Sequence, residues 1–120
     1  MTDTVLSALR EIRLPYALYE MDIHGYVRDA LKANGIAFIH EAKIAKGCRI
    51  DYLAGSVGIE IKKGKPNEKR LVAQLSRYLD SELLQSIIVV SWHSVKIPAE
   101  IRGKRAERVV LSQLWGVSLP

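Results

Sequence analysis

Cysteine is almost missing from this chain: Cys48 stands alone, which excludes an intrachain disulfide and fits a reducing compartment. No stretch reaches the ~20 consecutive apolar residues that a membrane-crossing helix needs. The first twenty residues carry Asp3, Arg10, Glu11 and Glu20 without an apolar core run, so a secretory signal is not expected there. Internal repeats, low-complexity tracts and linkers are also missing, and one domain is expected over residues 1–120. Several chemistries drop out for want of their residues. His24, His40 and His93 are scattered and no C-x-x-C or H-x-x-x-H occurs, which argues against structural zinc. "HEAK" at 40–43 lacks the second histidine of a zinc protease, "GKP" at 64–66 is no phosphate loop, and neither G-x-S-x-G nor G-x-G-x-x-G is present.

What the chain does have is globular composition, 48% hydrophobic and 26% charged, with a net charge of +5. That balance fits a small folded domain whose partner is a polyanion, nucleic acid first. No membrane and no organic cofactor are expected, and the expected location is cytoplasmic, or the host's cytoplasm if the chain is viral.

Periodicity supplies the elements. "VLSALREI" reads as a short helix closed by Pro15, and "ALYEMDIHGYVRDALKANG" as a second, with Ile23, Val27, Ala30 and Leu31 at helical spacing and a stop at Asn34-Gly35. Three strands follow: "IAFIHEAKI", "CRIDYLA" and "VGIEIKK". Asn67 then caps a helix over "RLVAQLSRYLDSELL", and "SIIVVSW" is apolar throughout, as an interior strand covered on both faces would be. Beyond Trp92 the pattern weakens: "IPAEI" reads as a helical turn, "GKRAER" as a basic loop, and "RVVLSQLW" as strand or helix. The order predicts an α/β sandwich with a mixed sheet, its last strand parallel to a neighbour. Trp92 and Trp115 read as core residues.

The hairpin at 49–64 carries the chemistry. A two-residue turn at Gly55-Ser56 pairs Ala54 with Val57, Leu53 with Gly58 and Tyr52 with Ile59, and sets Asp51 opposite Glu60. Cβ atoms of such a pair lie ~4.5–5.5 Å apart, and like charges there cost free energy unless something compensates. Lys62 shares their face, while Ile50, Tyr52, Ile59 and Ile61 are expected to point together into the core. Two readings fit: a solvated edge that deters strand pairing, or a site for a hard divalent cation held by Asp51, Glu60 and the Ile61 backbone carbonyl. Glu41, at the end of the preceding strand, and Glu20, on the helix before it, are further candidate ligands. Gln74 lies among Leu71, Leu75 and Tyr78, where its amide needs a partner.

With these residues in place the chain resembles the PD-(D/E)XK nuclease superfamily of restriction endonucleases and Holliday-junction resolvases. The matching pieces are "YEMDIHGYVRDAL", "RID", "EIK" and "QLSRYL", over about residues 17–92, with 93–120 as a basic C-terminal extension. Ile50 departs from the motif's proline. The resemblance implies a restriction-endonuclease-like αβββαβ core, and Mg²⁺-dependent hydrolysis of DNA phosphodiester bonds leaving 5′-phosphates, with Mn²⁺ as a possible substitute. Asp51 and Glu60 are then metal ligands and Lys62 the catalytic lysine, orienting or deprotonating water. Glu20 resembles a first-helix acid that completes the metal site, a role Glu41 could replace, and Gln74 a glutamine set beside the lysine. Phosphates would meet Lys63, Lys65, Lys69, Arg70 and Arg77 near the site, and Lys104, Arg105 and Arg108 in the tail. A homodimer is expected. The rival readings are a dimeric resolvase of branched DNA, and a nucleic-acid-binding protein on the same fold that does not cut.

Overall fold

In the computed structural model, which describes residues 1–13 and 22–117, apolar spacing and side-chain caps set the helices. Helix α1 (Thr2–Arg10) buries Val5, Leu6, Ala8 and Leu9. In α2 (Ile23–Ala33), Ile23, Val27 and Leu31 form the inward stripe, and the Asp22 carboxylate accepts the Gly25 N–H at 2.9 Å as the N-cap. Helix α3 (Glu68–Leu79) is capped by Asn67, which accepts the Arg70 N–H at 3.0 Å, and buries Leu71, Leu75, Tyr78 and Leu79. It ends five residues before the expected Leu84, with Asp80 as C-cap, although Leu84 still enters the core below it.

Between and after these helices run β1 (Ile39–Ala45), β2 (Cys48–Ala54), β3 (Val57–Lys62), β4 (Ser86–Ser91), β5 (Glu100–Ile101) and β6 (Lys104–Val110), followed by α4 (Leu111–Val117). They form one six-stranded mixed sheet in the order β1-β2-β3-β4-β6-β5. The β1-β2-β3 meander is antiparallel, β4 lies parallel to both β3 and β6, and β5 returns antiparallel to β6. Every residue of β4 is buried, as an apolar strand flanked on both sides and covered on both faces must be.

Alternation along β4 divides the core. Ile88 and Val90 face α1 and α2 together with Tyr52, Ile59 and Ile61, whereas Ile87 and Val89 face α3 with Leu71, Leu75 and Leu79. At roughly 1.5–3 kcal/mol for each large aliphatic side chain fully buried, both layers are needed to hold so small a domain.

Three expectations about the tail and hairpin are corrected. "GKRAER" is not a loop: Lys104–Val110 form β6, in register with the whole of β4. Its charged residues project from a strand whose inward positions include Ala106 and Val109, too little apolar alternation to read from sequence. Glu100–Ile101 are strand, not helical turn, and "RVVLSQLW" is both, strand to Val110 and helix from Leu111. Finally, Ile50 does not join Tyr52, Ile59 and Ile61. It enters the layer under α3 with Ala42 and Ile44.

Candidate active site at the end of strand β3

The hairpin forms in the register expected, Ala54 with Val57, Leu53 with Gly58 and Tyr52 with Ile59. Gly55 supplies the turn's positive φ of 61°. Beyond Tyr52 the ladder gives way: the expected pairing of Asp51 with Glu60 is not formed, and Asp51 does not share the face of Glu60 and Lys62. Ile50 faces α3 and Tyr52 faces α2, so the alternation of β2 breaks at Asp51 between them. The same break occurs in β1, where Ala42 lies under α3 and His40 stacks on Tyr52 with ring centroids 4.7 Å apart. Glu41 sits at that break with φ of 51°, left-handed backbone inside a strand. No residue is inserted, since His40↔Tyr52 and Ala42↔Ile50 keep one register.

The break decides where the Asp51 carboxylate goes. Belonging to neither face, it reaches sideways, and its Oδ2 accepts the Ile61 N–H at 2.7 Å. That bond takes the place of a ladder bond. A strand residue's N–H and C=O point to the same side, so the Ile61 carbonyl is directed into the same gap between β2 and β3.

Glu60 lies on the α3 face and is 6% exposed. Lys62, two residues on, shares that face, and its Nζ stands 3.2 Å from Glu60 Oε2. The same oxygen accepts from the Tyr78 hydroxyl at 3.3 Å. Oε1 is buried and has no hydrogen-bond partner among the described residues. Burial, reinforced by the negative charge of Asp51, raises the Glu60 carboxyl to about 7, against the opposing pull of Lys62.

Helix α3 supplies the lid over this carboxylate. The amide Nε2 of Gln74 donates to the Tyr78 hydroxyl at 2.9 Å, which in turn donates to Glu60. Gln74 therefore acts on the acid through Tyr78. Tyr78 titrates above the normal tyrosine range, pushed up first by burial and then by the Glu60 charge. Sequence reasoning assigned Tyr78 to the core alone. Its spacing of one turn from the anomalous Gln74 was the signal that both share a polar task.

Comparison with family models, with curated proteins and with solved structures finds no match to this chain. The site's chemistry therefore rests on its own residues.

Among the described residues, no group of three or more His, Cys, Asp and Glu side chains could hold a metal ion. The donors near Glu60 are two carboxylates and one carbonyl, all oxygen, and one carboxylate oxygen is desolvated without a partner. That set fits a hard cation that keeps much of its own water, as Mg²⁺ does. It does not fit zinc.

The remaining expected residues divide. Glu20 lies outside the described residues. Glu41 is exposed, and its position is opposite Asp51 in the β1-β2 register. Lys63, Lys65, Lys69, Arg70 and Arg77 are exposed, and Arg70 and Arg77 line a cleft of about 340 Å³ with Lys62, Asn67 and Gln74. The tail cations do not join them. Lys104 Nζ donates to the carbonyls of Leu79 and Ser81 at 2.7 and 2.9 Å, closing the end of α3. Arg105 pairs with Asp3 at 2.8 Å and with Glu107 at 3.4 Å. It stands opposite Ser86, at the far end of β4 from Ser91, the partner of Lys62. The Arg108 guanidinium donates to the Val95 carbonyl. A second depression, of about 600 Å³, is lined by Lys46, Arg49 and Arg77 beside Tyr78. Sequence reasoning missed Lys46 and Arg49 because their relation to α3 arises only once β1 and β2 fold over it.

Proposed function

We propose that this chain is a Mg²⁺-dependent nuclease that hydrolyses DNA phosphodiester bonds, with Mn²⁺ able to substitute, on a restriction-endonuclease-like core of the PD-(D/E)XK type. The order α2-β1-β2-β3-α3-β4 supports the fold reading. One observation carries the chemistry: Glu60 is buried with Oε1 unpartnered, while Oε2 is held by Lys62 and Tyr78 and Asp51 lies alongside. A carboxylate so placed is costly unless a cation completes it.

Glu60 and Asp51 would hold the metal, with the Ile61 carbonyl directed into the gap beside Asp51. When bound, the ion supplies Lewis-acid polarisation of the phosphate and a bound water of lowered pKa. Lys62 places an ammonium at the reacting phosphate, where it offsets negative charge and orients the attacking water. Tyr78 fixes Oε2, which leaves Oε1 as the oxygen that would be free for the metal, and Gln74 fixes Tyr78. Arg70 and Arg77, in the cleft with Lys62, take flanking phosphates.

The test is a panel of labelled linear, supercoiled, flapped and four-way-junction DNAs in Mg²⁺, Mn²⁺ or EDTA, with Asp51→Ala and Lys62→Ala alongside. Metal-dependent cutting that both variants lose supports the enzyme. Preference for the junction, together with a dimer on size-exclusion chromatography, makes it a resolvase. Tight binding without cutting in any metal overturns the nuclease in favour of a non-catalytic binding protein.

A further inference from the structure

The two depressions along α3 meet at Gln74 and Arg77, which line both. One holds Lys62 and Arg70. The other, on the far side of Arg77, is walled by the β1-β2 turn and holds Lys46 and Arg49. Among the described residues, no acid lines either depression. On other parts of the surface Arg28 pairs with Asp29, Arg102 with Asp80, and Arg105 with Asp3 and Glu107, while Lys32, Lys43 and Lys69 pair with no acid among the described residues. Lys46, Arg49 and Arg77 are exposed and enter no ion pair among the described residues. Cations that share a concavity without a carboxylate repel one another, and an anionic ligand relieves that repulsion.

We propose that Lys46, Arg49 and Arg77 form a phosphate anchor, a second hold on the DNA backbone set apart from the reacting centre on the Cys48 side of Gln74. The identity of its ligand rests on the nuclease reading. Arg49 lies two residues before Asp51 on β2, about 7 Å along a strand. Duplex DNA presents a phosphate every ~3.4 Å of axis on each strand. A backbone with one phosphate at Asp51 and Glu60 thus offers the anchor the next phosphates along the strand, about one to two nucleotides away, within reach of a long side chain. The anchor sets where the strand lies and does no chemistry.

The test separates binding from cutting. Affinity for a short fluorescein-labelled DNA duplex, and for its single strand, is measured by anisotropy in EDTA across roughly 50–200 mM NaCl, the range where counterion release dominates. The variants are Lys46→Ala, Arg49→Ala, Arg77→Ala and the triple, with Arg49→Lys as charge-preserving and Arg105→Ala as a distant control. Each Ala variant should lower the slope of log affinity against log salt by about 0.9, and the triple by roughly 3. Arg49→Lys and Arg105→Ala should keep the wild-type slope. In Mg²⁺ the Lys46→Ala/Arg49→Ala double variant, which leaves the cleft of Lys62 and Arg77 intact, should raise KM at least about 5-fold with kcat within about 2-fold. Wild-type slope in the triple variant overturns the anchor even if the enzyme cuts DNA, as does wild-type protein that binds neither probe. The expected slopes in a protein that never cuts would support the anchor and sink the nuclease reading alone.

Discussion

Glu60 is the residue on which the chemistry turns, and its burial has a measurable consequence without metal. Its carboxyl titrates at about 7 in the folded chain against 4.5 ordinarily. The folded state therefore binds more protons than the unfolded state between those values. Stability from this group is fully present below about pH 4.5 and is lost as pH rises through 7, a fall on the order of 3 kcal/mol. Thermal melts in EDTA should show that decline. Mg²⁺ should raise Tm at pH 8 and leave it unchanged at pH 5, where a proton occupies the carboxylate. Tyr78→Phe removes the donor to Oε2 and strands the Gln74 amide. It should cost about 1–3 kcal/mol and weaken Mg²⁺ binding by about 10–100-fold, read by denaturant melts and calorimetry. Glu60 and Lys62 were legible because strand period 2 after the turn at Gly55 puts them on one face. The same period sets Asp51 on that face too, and its sideways reach to the Ile61 N–H was not legible, because alternation fails at it. Nor was Tyr78, because an aromatic on an apolar helical stripe looks like core until its hydroxyl has a partner.

At the scale of elements, the break in alternation shared by β1 and β2 is what turns Asp51 toward β3. Glu41 holds the left-handed backbone at that break, a conformation costing a non-glycine residue on the order of 1 kcal/mol or more. If Glu41 serves by geometry, Glu41→Gly should keep stability and cleavage, whereas Glu41→Val should destabilise by about 1–2 kcal/mol. Lost cleavage in Glu41→Gly, with the fold intact, would instead make Glu41 a ligand. Gly58 is the companion device: a Cβ there would stand 2.5 Å from Ile50 Cδ1 and 3.1 Å from Leu84. Gly58→Val should cost about 1–3 kcal/mol and, by pushing Ile50, disturb Asp51 next to it. The elements from α2 to β4 were readable because their apolar periods are clean. The side taken by Ile50 was not, since period 2 carries no sign of the residue at which it fails. Strand β6 was hidden for a related reason, its inward positions being few and its charges many.

Across the whole molecule, the fold separates cations that lie near one another in the sequence. The +5 balance leads to the expectation of a polyanionic partner, but only the fold shows which cations are engaged. Lys104, Arg105 and Arg108 are bound to carbonyls and acids, while Lys46, Arg49, Arg70 and Arg77 border the depressions along α3. Sequence grouped basic residues by their nearness in the chain. The sheet order instead carries Arg105 to the opposite end of β4 and brings the β1-β2 turn to α3. Among the described residues no helix is long and apolar enough to cross a membrane.

The cation proposed at Glu60 is most directly tested by an anomalous-difference map from crystals of the chain grown with Mn²⁺. A peak at about 2.0–2.3 Å from Glu60 Oε1, shared with Asp51, is the predicted result. An ordered Glu60 whose Oε1 meets only protein or water at saturating Mn²⁺ would contradict the account.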